Sequence, residues 1–117
     1  GPIDTLTLTA NAQPALMAHS MAVLRVLERE KGLRLQDKVK FVAGHSLGEY
    51  SALAAAGAFS IGDAARLLKL RGQAMQKAVP VGQGAMAALL GVGLDVARKE
   101  HAVEVAPDDP TLRKDTT

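Results

Sequence analysis

The sequence has no cysteine, few aromatic residues and no long apolar run. Without cysteine, the chain forms no disulfide and no thiolate metal site. Aromatic residues make up only 3% of it, which argues against a stacking platform for nucleic acid. No apolar run approaches the length of a membrane span, and the N-terminus has neither the basic nor the apolar region of a signal peptide. These absences predict a cytoplasmic protein that binds neither nucleic acid nor a membrane.

What is present is a balanced charge and a large apolar fraction. The 14 Lys and Arg residues nearly match the 12 Asp and Glu residues, so the pI near 9.2 reflects a net charge of only +2. Such a small excess does not make the basic patch that nucleic-acid binding requires. With 117 residues and 48% apolar content, the chain has the size of one domain with a sizeable core.

Helix-like and strand-like segments alternate along the chain. Apolar spacing and stop signals predict three helices: Pro14 to Gly32, Leu47 to Gly57 and Ile61 to Ala78. The third helix begins with a capping box, Ser60 to Asp63, and ends before Pro80. Three segments have strand-like patterns: residues 5–9, 38–43 and 84–91. This order favours an α/β fold with a parallel sheet.

The segment Gly44-His45-Ser46-Leu47-Gly48 fits the G-x-S-x-G pattern between a predicted strand and a predicted helix. A serine at such a sharp turn is strained and exposes its hydroxyl, which favours a nucleophile. The two glycines remove side chains that would clash where the backbone crowds itself. The Leu47 amide would form half of an oxyanion hole at the positive end of the next helix. The alternative is a glycine-bounded turn with no chemistry.

A nucleophilic serine needs a general base within hydrogen-bond reach, and none of the three histidines fits that role. The side chain of His45 is expected to diverge from its neighbour Ser46 and to pack against the turn or brace it. His19 lies on a predicted helix as a surface or core residue, and His101 lies in a polar tail where we expect it to be solvated. The sequence therefore predicts a nucleophile without an identified base.

The third predicted helix places an arginine on its apolar stripe. Arg71 lies four residues after Leu67 and four before Met75, and the other stripe residues are Ala64, Leu68 and Ala78. An inward arginine is costly unless paired, and its planar fork suits a carboxylate. A substrate with a free carboxylate beside its reactive carbonyl would satisfy both Ser46 and Arg71. The alternative is an arginine that extends to water or pairs with an acidic residue. Gly72 would allow a neighbouring backbone to approach closely.

Longer motifs add a family resemblance. "GHSLGEYSALAAAG", then "RGQAM", then "GAMAALLG", with "NAQPALM" upstream, resemble the bacterial malonyl-CoA:acyl carrier protein transacylases over residues 6–94. The resemblance implies part of an α/β-hydrolase-like acyltransferase core with parallel strands, plus the start of a ferredoxin-like subdomain. Residues 1–83 would be the partial core with the nucleophile elbow. Residues 84–117 would be the start of the small subdomain and a divergent, flexible tail.

The resemblance also implies an activity and a set of roles. In this family, malonyl passes from coenzyme A to a serine and then to the phosphopantetheine thiol of acyl carrier protein, in fatty acid biosynthesis and without a metal or redox cofactor. Ser46 would be the nucleophile and Leu47 would supply an oxyanion amide. Arg71 would hold the malonyl carboxylate, and Gln13 and Met75 would line the pocket.

This chain differs from the family pattern in its length. Members are more than twice as long, and by resemblance this chain begins after their Gly-Gln-Gly segment and ends before their catalytic histidine. That role is therefore not assigned to His101. Two alternatives stay open: another α/β serine hydrolase or esterase, and a non-catalytic remnant of the acyltransferase fold. The open edges of an incomplete sheet also predict self-association, or a need for the missing segments in trans.

Overall fold

The computed structural model describes residues 1–84 together with Leu90, Gly91, Gly93 and Asp95. The described part contains five helices: α1 (Ile3–Leu6), α2 (Thr9–Lys31), α3 (Leu35–Lys38), α4 (Leu47–Ala55) and α5 (Ile61–Ala78). Within it, every helix is too short or too polar to cross a membrane. Gly1–Val79 form one compact unit, and a second unit begins at Pro80. The predicted domain boundary at residue 84 stays a prediction.

The predicted α/β core with parallel strands is wrong for the residues that the structure describes. They form helices and loops, and none of them belongs to a strand. The predicted strand at residues 38–43 is a loop that follows α3, in which Phe41 is 90% exposed. A strand exists only through hydrogen bonds to a neighbouring strand, and no described segment supplies one. The predicted strand at residues 84–91, and with it the start of the ferredoxin-like subdomain, lies mostly outside the described residues.

The three predicted helices are present, but α2 begins earlier than predicted and α4 ends at Ala55, two residues before the predicted Gly57. α5 has the predicted bounds, and the hydroxyl of Ser60 accepts a hydrogen bond from the Asp63 N–H at 3.0 Å, as an N-terminal cap does. α2 ends at the predicted Gly32, which has a left-handed φ of 63° and donates to the Leu27 carbonyl. α2 begins at Thr9, however, so the predicted strand at residues 5–9 is wrong.

The core lies where α2 packs against α4 and α5. It consists of the buried side chains of Met17, Met21, Ala54, Ala64 and Leu68. On α5 the buried line runs through Ala64, Leu68 and Gly72 at intervals of four residues. The predicted stripe is therefore only partly correct, because Leu67 and Met75 are 43% and 38% exposed. At the end of this line, Gly72 has no side chain and lets the backbones of α5 and α2 approach closely.

Gly72 is the point of closest approach between α2 and α5. A Cβ atom on residue 72 would stand 2.6 Å from the Ala10 Cα and 2.7 Å from the Thr9 carbonyl oxygen. Four residues later, the Gln76 Oε1 accepts a hydrogen bond from the Ala10 N–H at 2.9 Å. α2 has no side-chain cap of its own, so Gln76 satisfies one of its free N-terminal amides. These contacts override the strand preference of the threonine-rich segment and start the helix at Thr9.

Candidate active site

Ser46 lies at the turn that leads into α4, in a backbone conformation that residues other than glycine rarely adopt. Its φ of 56° and ψ of −120° make it the one non-glycine residue with positive φ among those described. Two backbone hydrogen bonds fix the turn: the Gly48 N–H donates to the His45 carbonyl at 2.9 Å, and the Glu49 N–H donates to the Ser46 carbonyl at 3.2 Å. The turn therefore has the strained geometry of a nucleophile elbow, although no strand precedes it in the described residues.

Glycines stand on both sides of the turn, but only one of these positions lacks the room for a side chain. A Cβ atom on Gly44 would overlap the backbone of Gly48 and Glu49. A Cβ atom on Gly48 would meet nothing within 4 Å. The expectation that both glycines relieve a clash is thus confirmed for Gly44 and wrong for Gly48.

Leu47 is the first residue of α4. Within residues 1–84, the structure gives its N–H no hydrogen-bond acceptor. N-terminal amides of a helix carry partial positive charge and bind anions. The oxyanion role of the Leu47 amide stays a prediction, and no acceptor within residues 1–84 competes with it.

Arg71 connects Ser46 to α2. Its Nη2 donates a hydrogen bond to the Ser46 Oγ at 3.1 Å, and its Nη1 donates to the Gln13 Oε1 at 2.5 Å. The first contact joins residues 25 apart in sequence and the second joins residues 58 apart. Three residues that the sequence singled out separately are thus brought together by one guanidinium.

Gln13 is the centre of a second set of contacts on α2. It is 4% exposed, and its Nε2 donates to the Thr9 Oγ1 at 2.8 Å and to the Met75 Sδ at 3.3 Å. Its amide is therefore held on both sides, with its oxygen facing Arg71. Met75 joins the cluster through its sulfur although its side chain is partly exposed.

Tyr50 belongs to the same cluster, and the sequence reasoning missed it. The guanidinium carbon of Arg71 lies over the Tyr50 ring, 5.8 Å from the ring centroid. One signal could have revealed it: Tyr50 lies in the first turn of the helix that begins directly after Ser46.

The charge of Arg71 has no acidic partner among the described residues. The ion pairs found there are Arg25–Glu28, Arg34–Asp37 and Arg66–Asp63, all between residues three apart on exposed helix surfaces. The contacts of the half-buried Arg71 are all to neutral groups. A guanidinium held by neutral groups keeps its full charge available to an anion.

The side chains of the two described histidines make no hydrogen bond to Ser46, Gln13 or Arg71 within the described residues. The side chains of His19 and His45 are both exposed, which does not fit a packing role for His45. A cavity of about 270 Å³ is lined by His19, Ala22, Val23, Val26 and Leu27 of α2, and neither Ser46 nor Arg71 is part of its lining. His101 lies outside the described residues. Within those residues, no three acidic or histidine side chains come close enough to share a metal ion.

Sequence comparison identifies the family to which this chain belongs. The chain belongs to the acyl transferase domain family, whose model matches residues 1–111. It is 50% identical over 99 residues to the malonyl CoA-acyl carrier protein transacylase of Bacillus subtilis, a match that covers 85% of this chain and 30% of that protein. It is 46% identical over 108 residues to the protein of the same name from Escherichia coli K12, covering 92% of this chain and 33% of the relative.

A third relative, the malonyl CoA-acyl carrier protein transacylase of Haemophilus influenzae, is 51% identical over 92 residues, covering 79% of this chain and 28% of that protein. The chain thus spans about a third of the length of the curated relatives it matches. No solved structure matches it significantly.

Proposed function

We propose that this chain carries the acyl-accepting part of an acyltransferase that moves malonyl from coenzyme A to acyl carrier protein in fatty acid biosynthesis, in the cytoplasm. The observation that carries the proposal is the 3.1 Å hydrogen bond from Arg71 to the hydroxyl of the strained Ser46. An esterase whose substrate has a neutral acyl group does not need a cation beside its nucleophile. The names of the relatives supply the substrate pair, malonyl-CoA and acyl carrier protein.

The first step is an attack by the Ser46 Oγ on the thioester carbonyl of malonyl-CoA. The new C–O bond forms first, as the serine proton passes to a base, and gives a tetrahedral oxyanion. The C–S bond then breaks, and coenzyme A leaves as a thiol after the protonated base returns that proton to its sulfur. The Leu47 N–H donates to the oxyanion of the tetrahedral intermediate. In the second step the phosphopantetheine thiol of acyl carrier protein takes the malonyl group from Ser46. No atom changes oxidation state in either step, so the reaction needs no redox cofactor.

Arg71 selects the acyl group. An ester on Ser46 would place its acyl chain beside Nη2, where a carboxylate replaces the serine hydroxyl as hydrogen-bond acceptor. The cation is half-buried and paired only with neutral groups, so a negatively charged acyl chain completes its environment. Gln13 and Met75 line the space next to the guanidinium.

The base that takes the serine proton is the part of the site that these residues do not provide. The described side chain that hydrogen-bonds to the Ser46 Oγ is Arg71, whose guanidinium donates hydrogen bonds and has no acceptor atom for the serine proton. Without a base, a serine hydroxyl is a weak nucleophile at neutral pH. We therefore expect slow acylation by this chain alone, and we place the base in a segment outside the described residues.

The test is incubation with malonyl-CoA followed by intact mass measurement of the Ser46 ester. We expect an adduct that Ser46→Ala abolishes. Arg71→Ala should lower malonyl labelling more than tenfold and leave acetyl-CoA labelling unchanged, because a hydrogen bond to a charged group is worth about 1.5–3 kcal/mol. Arg66→Ala is the matched control, since it removes an exposed arginine of the same helix. Equal labelling by malonyl-CoA and acetyl-CoA in the unmodified chain would refute the carboxylate selection. No Ser46 adduct would favour the non-catalytic remnant.

Self-association stays a prediction. Its original reason, the open edges of a sheet, does not apply to the described residues because they form no sheet. Sedimentation velocity at several concentrations decides it, and a stable monomer at all of them would contradict it.

A further inference from the structure

Tyr50 and Ser46 meet Arg71 from the same side. Ser46 directly precedes α4 and Tyr50 lies in its first turn, and both side chains contact the guanidinium of Arg71 on α5. The distance of 5.8 Å from the guanidinium carbon to the ring centroid is within the range of a cation–π interaction. The ring therefore contacts the same guanidinium whose other contacts are Ser46 and Gln13.

The ring of Tyr50 is itself held in place. Tyr50 is half-buried and packs against the core cluster that contains Ala54, Ala64 and Leu68. The arginine side chain, in contrast, has several rotatable bonds and could otherwise swing to water, as it has no acidic partner among the described residues. A fixed aromatic face beside a flexible cation limits the orientations of that cation.

We propose that Tyr50 is a positioning residue that holds the Arg71 guanidinium in the orientation in which Nη2 reaches the acyl group on Ser46. It thereby contributes to selection of an acyl chain that ends in a carboxylate. The inference rests on the proposed function for its consequence, but the stacking itself is independent of any reaction. The ring, and not the phenol hydroxyl, is the active part, so Phe should replace Tyr at this position and an aliphatic residue should not.

The first experiment tests the stacking by NMR on the full chain. A ring face above the guanidinium shifts the Arg71 δ and ε proton signals upfield. We expect this shift to persist in Tyr50→Phe and to disappear in Tyr50→Leu. Tyr50→Met is a second aliphatic variant of similar size, in case the leucine variant does not fold, and unchanged amide signals of α2 show that the fold is retained. An upfield shift that persists in the folded aliphatic variants would overturn the inference.

The second experiment measures the ratio of initial Ser46 labelling rates with malonyl-CoA and acetyl-CoA. We expect the ratio to fall about twofold to fivefold in Tyr50→Leu and Tyr50→Met and to stay unchanged in Tyr50→Phe. A lower ratio with unchanged acetyl labelling separates positioning of Arg71 from general damage to the elbow.

The two experiments separate the inference from the proposed function. If the unmodified chain labels but the aliphatic variants keep its ratio, the inference fails and the function stands. If the unmodified chain does not label, the proposed function fails for this chain, and the NMR result alone decides whether Tyr50 orients Arg71.

Discussion

The backbone of Ala10 touches α5 at Gly72, where a Cβ atom would stand 2.6 Å from the Ala10 Cα. The contact sets the separation of α2 and α5, and through it the distance between Gln13 and Arg71. Backbone atoms cannot rotate away as a side chain can, so any substituent at Gly72 pushes the two helices apart.

We therefore expect Gly72→Ala to lower the free energy of unfolding by about 1–3 kcal/mol, in spite of the better helix propensity of alanine. Urea unfolding measures it. Gly62→Ala is the control on the same helix, where a new Cβ would meet only the Ser60 Oγ at 3.7 Å, and it should be neutral or stabilising. Similar effects of the two substitutions would show that the close approach is not limiting.

Replacement by alanine should have very different effects on labelling and stability at Gly44 and at Gly48. A Cβ on Gly44 overlaps the backbone of Gly48, whereas a Cβ on Gly48 has open space. We expect Gly44→Ala to abolish Ser46 labelling and to destabilise the chain, and Gly48→Ala to retain both. Labelling by malonyl-CoA and thermal unfolding check this. Loss of labelling in both variants would mean that the turn tolerates no side chain for a reason other than space.

The strained backbone at Ser46 should lower the stability of the chain, although this residue supplies the nucleophile. A non-glycine residue in such a conformation costs about 1–3 kcal/mol, and glycine does not carry that cost. Ser46→Gly and Ser46→Ala both lose the Arg71 hydrogen bond and the nucleophile. We expect Ser46→Gly to be about 1 kcal/mol more stable than Ser46→Ala by urea unfolding. Equal stability would show that the turn is not strained.

Gln13→Glu would place a carboxylate at the Arg71 Nη1, where the glutamine oxygen now lies at 2.5 Å. The new charge would neutralise the guanidinium before substrate arrives. We expect malonyl labelling of Ser46 to fall about tenfold while acetyl labelling is unchanged. Gln36→Glu is the control, because it changes the net charge equally at an exposed position of α3. An unchanged ratio would remove Arg71 from the selection of the acyl group.

Ser51 is a buried polar group whose hydroxyl has no hydrogen-bond partner among the described residues. Burial of an unpaired hydroxyl costs about 1–3 kcal/mol. Ser51→Ala should therefore raise the free energy of unfolding by about 1 kcal/mol or more. Ser20→Ala on the exposed face of α2 makes the same change of residue type without burial, and it should have a smaller effect.

The local parts of this fold were predictable because their causes are local. The Ser60 cap, the left-handed Gly32 and the bounds of α5 each depend on residues within a turn of one another. The strand at residues 38–43 was not predictable in the same way, because a strand depends on a neighbour that can lie anywhere in a chain. The sequence pattern there was strand-like, but no described residue pairs with it.

Several members of the candidate site were predictable, but their connections were not. Ser46 follows from its motif and Arg71 from its place on a helix, but only the fold shows that they share a hydrogen bond. Tyr50 was missed because a tyrosine at helical spacing is most often a core residue, and here it is both packed on the core and in contact with a cation. Its role depends on the separation of α4 and α5, which no single-helix pattern encodes.

The two hydrogen bonds of Arg71 also differ in the length of chain that each one closes. The bond to Ser46 closes a loop of 25 residues and the bond to Gln13 a loop of 58. The longer loop loses roughly 0.7 kcal/mol more conformational entropy on closure. We therefore expect α4 and α5 to associate first during folding, with α2 joining afterwards. The hydrogen bond between Arg71 and Ser46 would then form before the hydrogen bond between Arg71 and Gln13.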